Sequence, residues 1–166
     1  MIPMKQVIIS PYSRPLRNDK PNPKNYPWWE ELVQLLLSDG WEVLQVGREG
    51  ETPLPNVTST HFGLKLREVT HLIAKADTWI SVDNFFHHLV ASELKGKVGV
   101  VLWGKSDPVI FGYPSNKNLL KHRRFLRAQQ YAMWEDDSYD PQVFVEPAVV
   151  LEALREIQAT ANETPR

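Results

Sequence analysis

The segment Ser81-Val82-Asp83-Asn84-Phe85-Phe86-His87-His88-Leu89 sets a carboxylate, an amide and two imidazoles where an apolar run gives way to helical spacing. Such a junction suits anion chemistry, because the free N–H groups and the positive end of a helix face a negative ligand there. Asp83 is equally suited to capping that helix. His87 and His88 invite a metal reading. Neighbouring helical residues point about 100° apart, however, so one imidazole is expected inside, one outside, and no metal between them. Three further loops, residues 10–26, 47–56 and 104–113, are rich in groups that grip phosphates or sugars. By residue type alone, Lys24 and Glu51 within them are ordinary solvated charges. The chain shows no Ser-His-Asp order and no His–carboxylate cluster of metal-binding spacing, so a hydrolase is not expected.

Those loops need elements to hold them. Val7-Ile8-Ile9 reads as a buried strand, 41–47 as a second, 78–82 as a third and 98–103 as a central, almost wholly apolar one. Val57-Thr58 and 143–145 are shorter candidates. Helical spacing runs from Pro27 through Leu37, where Asp39-Gly40 ends it, and again over 66–76 and from Asp83 to Leu94. A closing helix is expected over 147–158, with a frayed tail from 160 to 166. Strands alternating with helices of about ten residues imply an α/β domain, a Rossmann-like parallel sheet covered on both faces. In such a sheet, ligands bind at the carboxyl ends of the strands, where the four loops lie. Residues 1–159 read as one domain. Lys117, Lys121, Arg123, Arg124 and Arg127 are followed by Glu135, Asp136, Asp137 and Asp140, which suggests a solvated, salt-bridged helix more than a nucleic-acid face. Trp79 and Trp103 read as core, whereas Trp28, Trp29, Tyr113 and Trp134 are candidates for a pocket or interface.

Composition narrows the function classes. The 166 residues carry 19 Lys+Arg against 20 Asp+Glu, so general affinity for nucleic acid or anionic membrane is not expected. There is no Cys, which excludes disulfide scaffolds, thiolate nucleophiles and Cys-ligated zinc. Neither a signal peptide nor a membrane span is legible, so a soluble, cytoplasmic domain is expected. Of the 13 prolines, Pro3, Pro11, Pro15, Pro21, Pro23 and Pro27 fall near the start, marking a long, ordered or semi-ordered loop rather than a second domain. The length suits one domain and is short for enzymes that close two similar lobes over a substrate.

The stretch from Ser81 to Ala91, together with 98–103 and Gly104-Lys105-Ser106-Asp107-Pro108, resembles the C-terminal half of the heptosyltransferases, glycosyltransferase family 9. That family has a strand ending in Asp-Ser-Gly-Pro-x-His-Leu-Ala and a second ending in Phe-Gly-Pro-Thr-Asp-Pro. Asp83, His88, Leu89, Gly104, Asp107 and Pro108 match in order. Residues 7–13 resemble its first strand and small-residue turn. Lys24-Asn25-Tyr26-Pro27 resembles its Lys/Arg-x-Trp-Pro, residues 43–51 its strand leading to Gly and a downstream Glu, and 66–77 its Leu-x-Glu-x-x-x-Leu-x-x-x-Ala-Asp. The resemblance spans about residues 6–113. One departure is Phe85-Phe86, where the family has Gly-Pro.

The resemblance implies a lobe of the GT-B glycosyltransferase type that binds a nucleotide or nucleotide-diphosphate sugar and needs no metal or other cofactor. It implies that Asp83 faces the donor, that the Asn84, Phe85 and Phe86 N–H groups meet its phosphates, and that His88 steadies the turn or reaches a phosphate. It further implies that Ser13 and Lys24 contact phosphate or sugar oxygens, that Glu51 accepts from a ribose, and that Asp107 orients the loop beneath. Phe85 is also a candidate to stack on a base or sugar. The family's acceptor-binding half, with the acidic residue that serves as its catalytic base, is not expected in this chain. Transfer would then need a separate subunit or a second copy. Otherwise the domain sequesters or senses a nucleotide or nucleotide-sugar. A partner-binding module using the basic segment and exposed Trp residues is the remaining class.

Overall fold

The computed structural model describes residues 4–163. Six strands, β1 (Lys5–Ser10), β2 (Trp41–Gly47), β3 (Ser59–Phe62), β4 (Thr78–Val82), β5 (Val100–Trp103) and β6 (Lys117–Leu120), form one sheet in the order β3-β2-β1-β4-β5-β6. Every pairing is parallel. Helices α1 (Trp29–Ser38), α2 (Leu66–Lys75), α3 (Phe85–Glu93) and α5 (Pro147–Glu163), with the short α4 (Pro108–Phe111), complete the chain. The strand order reverses between β1 and β4, and the crevice at that reversal is where an open α/β sheet receives its ligand.

Strand alternation builds two cores. Val7 and Ile9 of β1 face α1 and α5, with Leu32, Val33, Leu36, Val150, Leu154 and Phe144. Ile8 faces α2 and α3, with Ile73, Phe86, Val90, Trp79 and Trp103. Side chains on both faces leave β1, β4 and β5 no solvated side, which explains their continuous apolar runs. Trp79 and Trp103 are core, as their strand positions imply, and Trp29 joins them at 3% exposure rather than lining a pocket. Its indole N–H donates to Pro11 O at 3.1 Å and so fixes the Pro-rich loop to α1.

Several elements differ from the sequence reading. Asn84, not Asp83, caps α3: its Oδ1 accepts from Phe86 N–H at 2.9 Å. Pro27 lies in the turn before α1, and β3 starts at Ser59, past Val57-Thr58. The basic segment is not a helix. Lys117 to Leu120 form β6, because the free edge of β5 takes a partner there, and Leu119 and Leu120 reach opposite cores. Arg123–Phe125 is a 3-10 turn, so Lys121, Arg124 and Arg127 share no helical face. The expected strand over 143–145 is instead a 3-10 turn, Pro141–Val143, followed by extended residues whose side chains fill the α1/α5 core. The last helix continues to Glu163, beyond Gln158, and 164–166 of the expected tail lie outside the described residues, as does Pro3. Among the described residues no helix is long and apolar enough to cross a membrane.

Candidate functional site

A cavity of about 750 Å³ opens at the carboxyl ends of β1, β2 and β4. Ser10, Ser13 and Lys24 reach it from β1 and the loop that follows, Gly47 and Glu51 from the end of β2, and Asp83, Asn84, Phe85 and His88 from the β4–α3 junction. Seven of the nine residues that the sequence singled out therefore converge. Phe86 and Asp107 do not line the cavity.

Asn84 knits the junction together. Its amide nitrogen donates to Ser10 Oγ at 2.9 Å and to Tyr12 O at 3.2 Å, while its oxygen holds Phe86 N–H. Ser13 Oγ donates to Asp83 O at 2.7 Å, and Ser13 N–H to Asn25 Oδ1 at 2.8 Å. The end of β1 and the start of α3 are thus one rigid unit across the strand-order reversal.

Asp83 is 7% exposed and fully engaged. His87 Nε2–H donates to its Oδ1 at 3.1 Å, and the Lys24 ammonium stands 3.3 Å from its Oδ2. Burial alone would raise its carboxyl. The hydrogen bond from His87 and the charge of Lys24 outweigh that and hold it below the usual carboxylate value. Asp83 thus lines the cavity and fixes the Lys24 ammonium beside it.

His87 is inward and His88 outward, as expected, yet their rings lie close, with centroids 4.0 Å apart and planes 36° from parallel. Donor atoms of Asp83, His87 and His88 fall within 4.8 Å of one another, a cluster the sequence reading did not anticipate. His87 Nε2 is already bonded to Asp83 and His88 Nδ1 lies against the Tyr113 hydroxyl, while the Lys24 ammonium flanks the carboxylate. The set therefore fits a hydrogen-bonded network better than a metal. His88 completes it through Nδ1 and the Tyr113 hydroxyl, 2.7 Å apart. Burial, with His87 beside it, pushes the His88 imidazole below its ordinary value.

Glu51 marks the opposite end. Its carboxyl folds under Gly47, where a Cβ would fall 2.0 Å from Oε2. Oε2 is buried and has no hydrogen-bond partner among the described residues. Desolvation raises this carboxyl above its usual value. A buried acceptor without a donor is costly unless a ligand supplies one. Beside it, a second cleft of about 360 Å³ is lined by Gly47, Arg48, Gly63, Leu64, Leu66, Val69 and Phe85. Phe85, 48% exposed, borders both spaces.

Phe86 packs against Trp79 in the core, and its N–H is already taken by Asn84. Asp107 caps α4 and receives both Arg123 guanidinium nitrogens, at 2.7 and 3.1 Å. Gln130 Oε1 accepts its N–H. It orders the loop after β5 without facing the cavity.

The sequence did not single out Tyr12, Arg14, Leu16, Arg17, Asn22 or Arg48, nor Met133 and Glu135, all of which line the cavity. Trp134, read as a pocket or interface candidate, lines it as well. The first group lies in loops already marked as ligand-bearing. Residues 133–135 reach the site only through the irregular path of 121–140, for which no periodic pattern exists.

No protein-family model matches the chain, and no curated protein matches it. Solved structures do. E. coli ADP-heptose lipopolysaccharide heptosyltransferase II is 16% identical with a TM-score of 0.67, covering 96% of this chain and 48% of that one. The iron-containing dodecameric glycosyltransferase TibC of enterotoxigenic E. coli is 14% identical with a TM-score of 0.65, covering 100% and 49%. E. coli heptosyltransferase WaaC, solved with ADP, is 18% identical with a TM-score of 0.60, covering 93% and 44%. The chain spans about half the length of each, and its fold is that of a heptosyltransferase half, an α/β lobe of the GT-B glycosyltransferase kind.

Proposed function

We propose that the cavity binds a nucleoside diphosphate-sugar, without a metal or other cofactor. The observation that carries this is the polarity of one continuous space. Lys24, Ser13 and the N-terminus of α3 line it together, and the Glu51 carboxylate, whose Oε2 has no partner, stands at its β2 end. A diphosphate suits the former, as an anion at a helix end beside an ammonium. A ribose diol suits the latter, since it donates two hydroxyl hydrogens to a carboxylate. The cleft past Gly47, walled by Leu64, Leu66, Val69 and Phe85, then takes the base. Two of the similar structures are described with ADP and with ADP-D-β-D-heptose, which are ligands of this shape.

Glycosyl transfer requires an acceptor hydroxyl, a base to take its proton and stabilisation of the leaving diphosphate. Lys24 and the positive end of α3 supply the last. The base and acceptor site come from outside these residues, from a second lobe, a partner subunit or another copy. One observation favours binding without turnover when the chain acts alone: the carboxylates beside Lys24 and Trp134 are already engaged. Asp83 holds Lys24 and His87, and Glu135 Oε1 accepts Arg17 N–H.

Isothermal titration with ADP, UDP and GDP tests the reading. At least one binds, and Lys24→Met weakens it about 10- to 100-fold, as loss of a charged hydrogen bond to phosphate implies. Absence of binding by all three, or an unaltered affinity in Lys24→Met, overturns it. Product analysis with the matching nucleotide-sugars then separates transferase from binder.

A further inference from the structure

The cavity is lined by Arg14, Leu16 and Arg17 from the loop after β1 and by Met133, Trp134 and Glu135 from the segment 121–140. The two segments are joined. Arg17 N–H donates to Glu135 Oε1, and the Asn18 side-chain amide donates to Glu135 O, both at 3.3 Å. Tyr139 OH donates to Asn25 O at 2.8 Å.

Trp134 is held by a buried cation. The Arg127 guanidinium lies 3.5 Å from its ring centroid, and the Arg127 side chain is itself 9% exposed. Arg127 is fixed by the carbonyls of Gln130 and Ala132 and by Asp137, 3.6 Å away. Lys105 ties the same strap to the end of β5, donating to Asp137 Oδ1 and Ser138 O, each at 2.7 Å. The Lys24 ammonium, the group placed to hold the diphosphate, lies 5.3 Å from the Trp134 centroid.

We infer that Trp134 is the platform for the sugar carried on the terminal phosphate, with Met133, Glu135, Arg14 and Arg17 as its rim. The inference rests on the diphosphate site proposed above. The order along the cavity is ribose at Glu51, diphosphate at Lys24, and then whatever the diphosphate bears, which meets Trp134. A sugar ring presents C–H faces that stack on an indole and edge hydroxyls that bond to the carboxylate and guanidinium groups around it. Because the strap is already locked by Arg127, Asp137 and Lys105, little ordering is lost on binding. The protein therefore selects nucleoside diphosphate-sugars over bare diphosphates.

The test compares ADP with ADP-D-β-D-heptose, UDP with UDP-glucose and GDP with GDP-mannose by titration calorimetry. At least one sugar form binds about tenfold more tightly than its diphosphate, and Trp134→Ala removes that preference while diphosphate affinity stays within about threefold. Trp134→Phe keeps most of the preference. Trp134→Leu, which retains bulk over Arg127, loses it and serves in place of the alanine variant should that one fail to fold. Equal binding of diphosphate and sugar form in every wild-type pair overturns the subsite alone. So does a preference that survives both Ala and Leu. Failure of every diphosphate to bind overturns the underlying site, and the platform with it.

Discussion

Gly47→Ala perturbs the Glu51 end of the cavity alone, by displacing the Glu51 carboxyl while leaving Lys24, Ser13 and Asp83 in place. A Cβ at this position would stand 2.0 Å from Glu51 Oε2 and 2.6 Å from Cδ, and ordinary contact begins near 3.4 Å. The carboxyl must therefore retreat by about 1.4 Å, which carries a 2.8 Å hydrogen bond past its useful range. Gly47 has no left-handed φ, so alanine fits its backbone, and the displaced group is the far end of a flexible side chain. Folding stability should then be unchanged or rise by about 0.4–1 kcal/mol through the unfolded chain. Binding should suffer. A carboxylate accepting both ribose hydroxyls contributes about 2–3 kcal/mol, so nucleoside diphosphate affinity falls roughly 30- to 150-fold. Calorimetry with ADP, and with pyrophosphate as the ligand lacking a ribose, reads this directly. Glu51→Gln should give a smaller loss, since an amide oxygen still accepts. ADP affinity unchanged in Gly47→Ala, or reduced in step with pyrophosphate, would refute the assignment of Glu51 to ribose.

Asp83→Asn keeps the acceptor for His87 but removes the charge facing Lys24, and should cost about 2 kcal/mol, or roughly 4–8 °C in Tm near neutral pH. Because the folded carboxyl lies below its ordinary value of 3.8, its contribution is complete above that value and fades as pH falls through the folded one. The gap between wild type and Asp83→Asn in thermal melts should hold from pH 7 to 5 and narrow below pH 4; a gap that widens in acid contradicts the pairing. Asn84→Ala removes the α3 cap and the tie to Ser10, costing about 1–2 kcal/mol in urea unfolding, whereas Asn84→Asp restores the cap but not the donor bonds to Ser10 and Tyr12. Arg123→Ala frees Asp107 and should loosen the loop after β5, seen as faster amide exchange at Val109, with affinity for ADP unaltered.

The sheet was legible because its central strands carry buried apolar runs and its helices carry 3.6-residue spacing, as at Val69, Ile73 and Ala76. Hydrophobic period sees burial, and burial dominates there. Lys117-Asn118-Leu119-Leu120 escaped because an edge strand owes its place to the hydrogen bonds of its neighbour, which no period records. Val143 to Val145 was misread for the converse reason: its apolar residues fill a core from an irregular path. The candidate site was legible in its membership, through loops at strand ends and the order of motifs shared with heptosyltransferases. Trp134 was legible only as a pocket-or-interface candidate, because no local pattern shows that Arg127, Asp137 and Lys105 would fold its strap across the cavity.

Membership is not role, and Asp83 shows the difference. Its type and position at a strand end fit a helix cap or a contact to the donor, and either assumes that its oxygens are available. In the folded chain Oδ1 belongs to His87 and Oδ2 to Lys24, residues 4 and 59 positions away. The cap passes to Asn84 and the anion-binding charge to Lys24, which a lone lysine in a Pro-rich loop could not have supplied with a fixed direction. A carboxylate beside a diphosphate would repel it; a carboxylate that pins an ammonium leaves that ammonium's outward hydrogens for phosphate. The same logic separates the two ends of the cavity. At the Lys24 end the carboxylate, the amide and the serine hydroxyl are already bonded, so a ligand there adds to a preformed network. At the Glu51 end a buried acceptor has nothing to accept, so the ligand completes the structure. Affinity should therefore depend on charge and salt at the first end and on hydroxyl donors at the second, and 2′,3′-dideoxy-ADP should bind wild type no better than ADP binds Gly47→Ala.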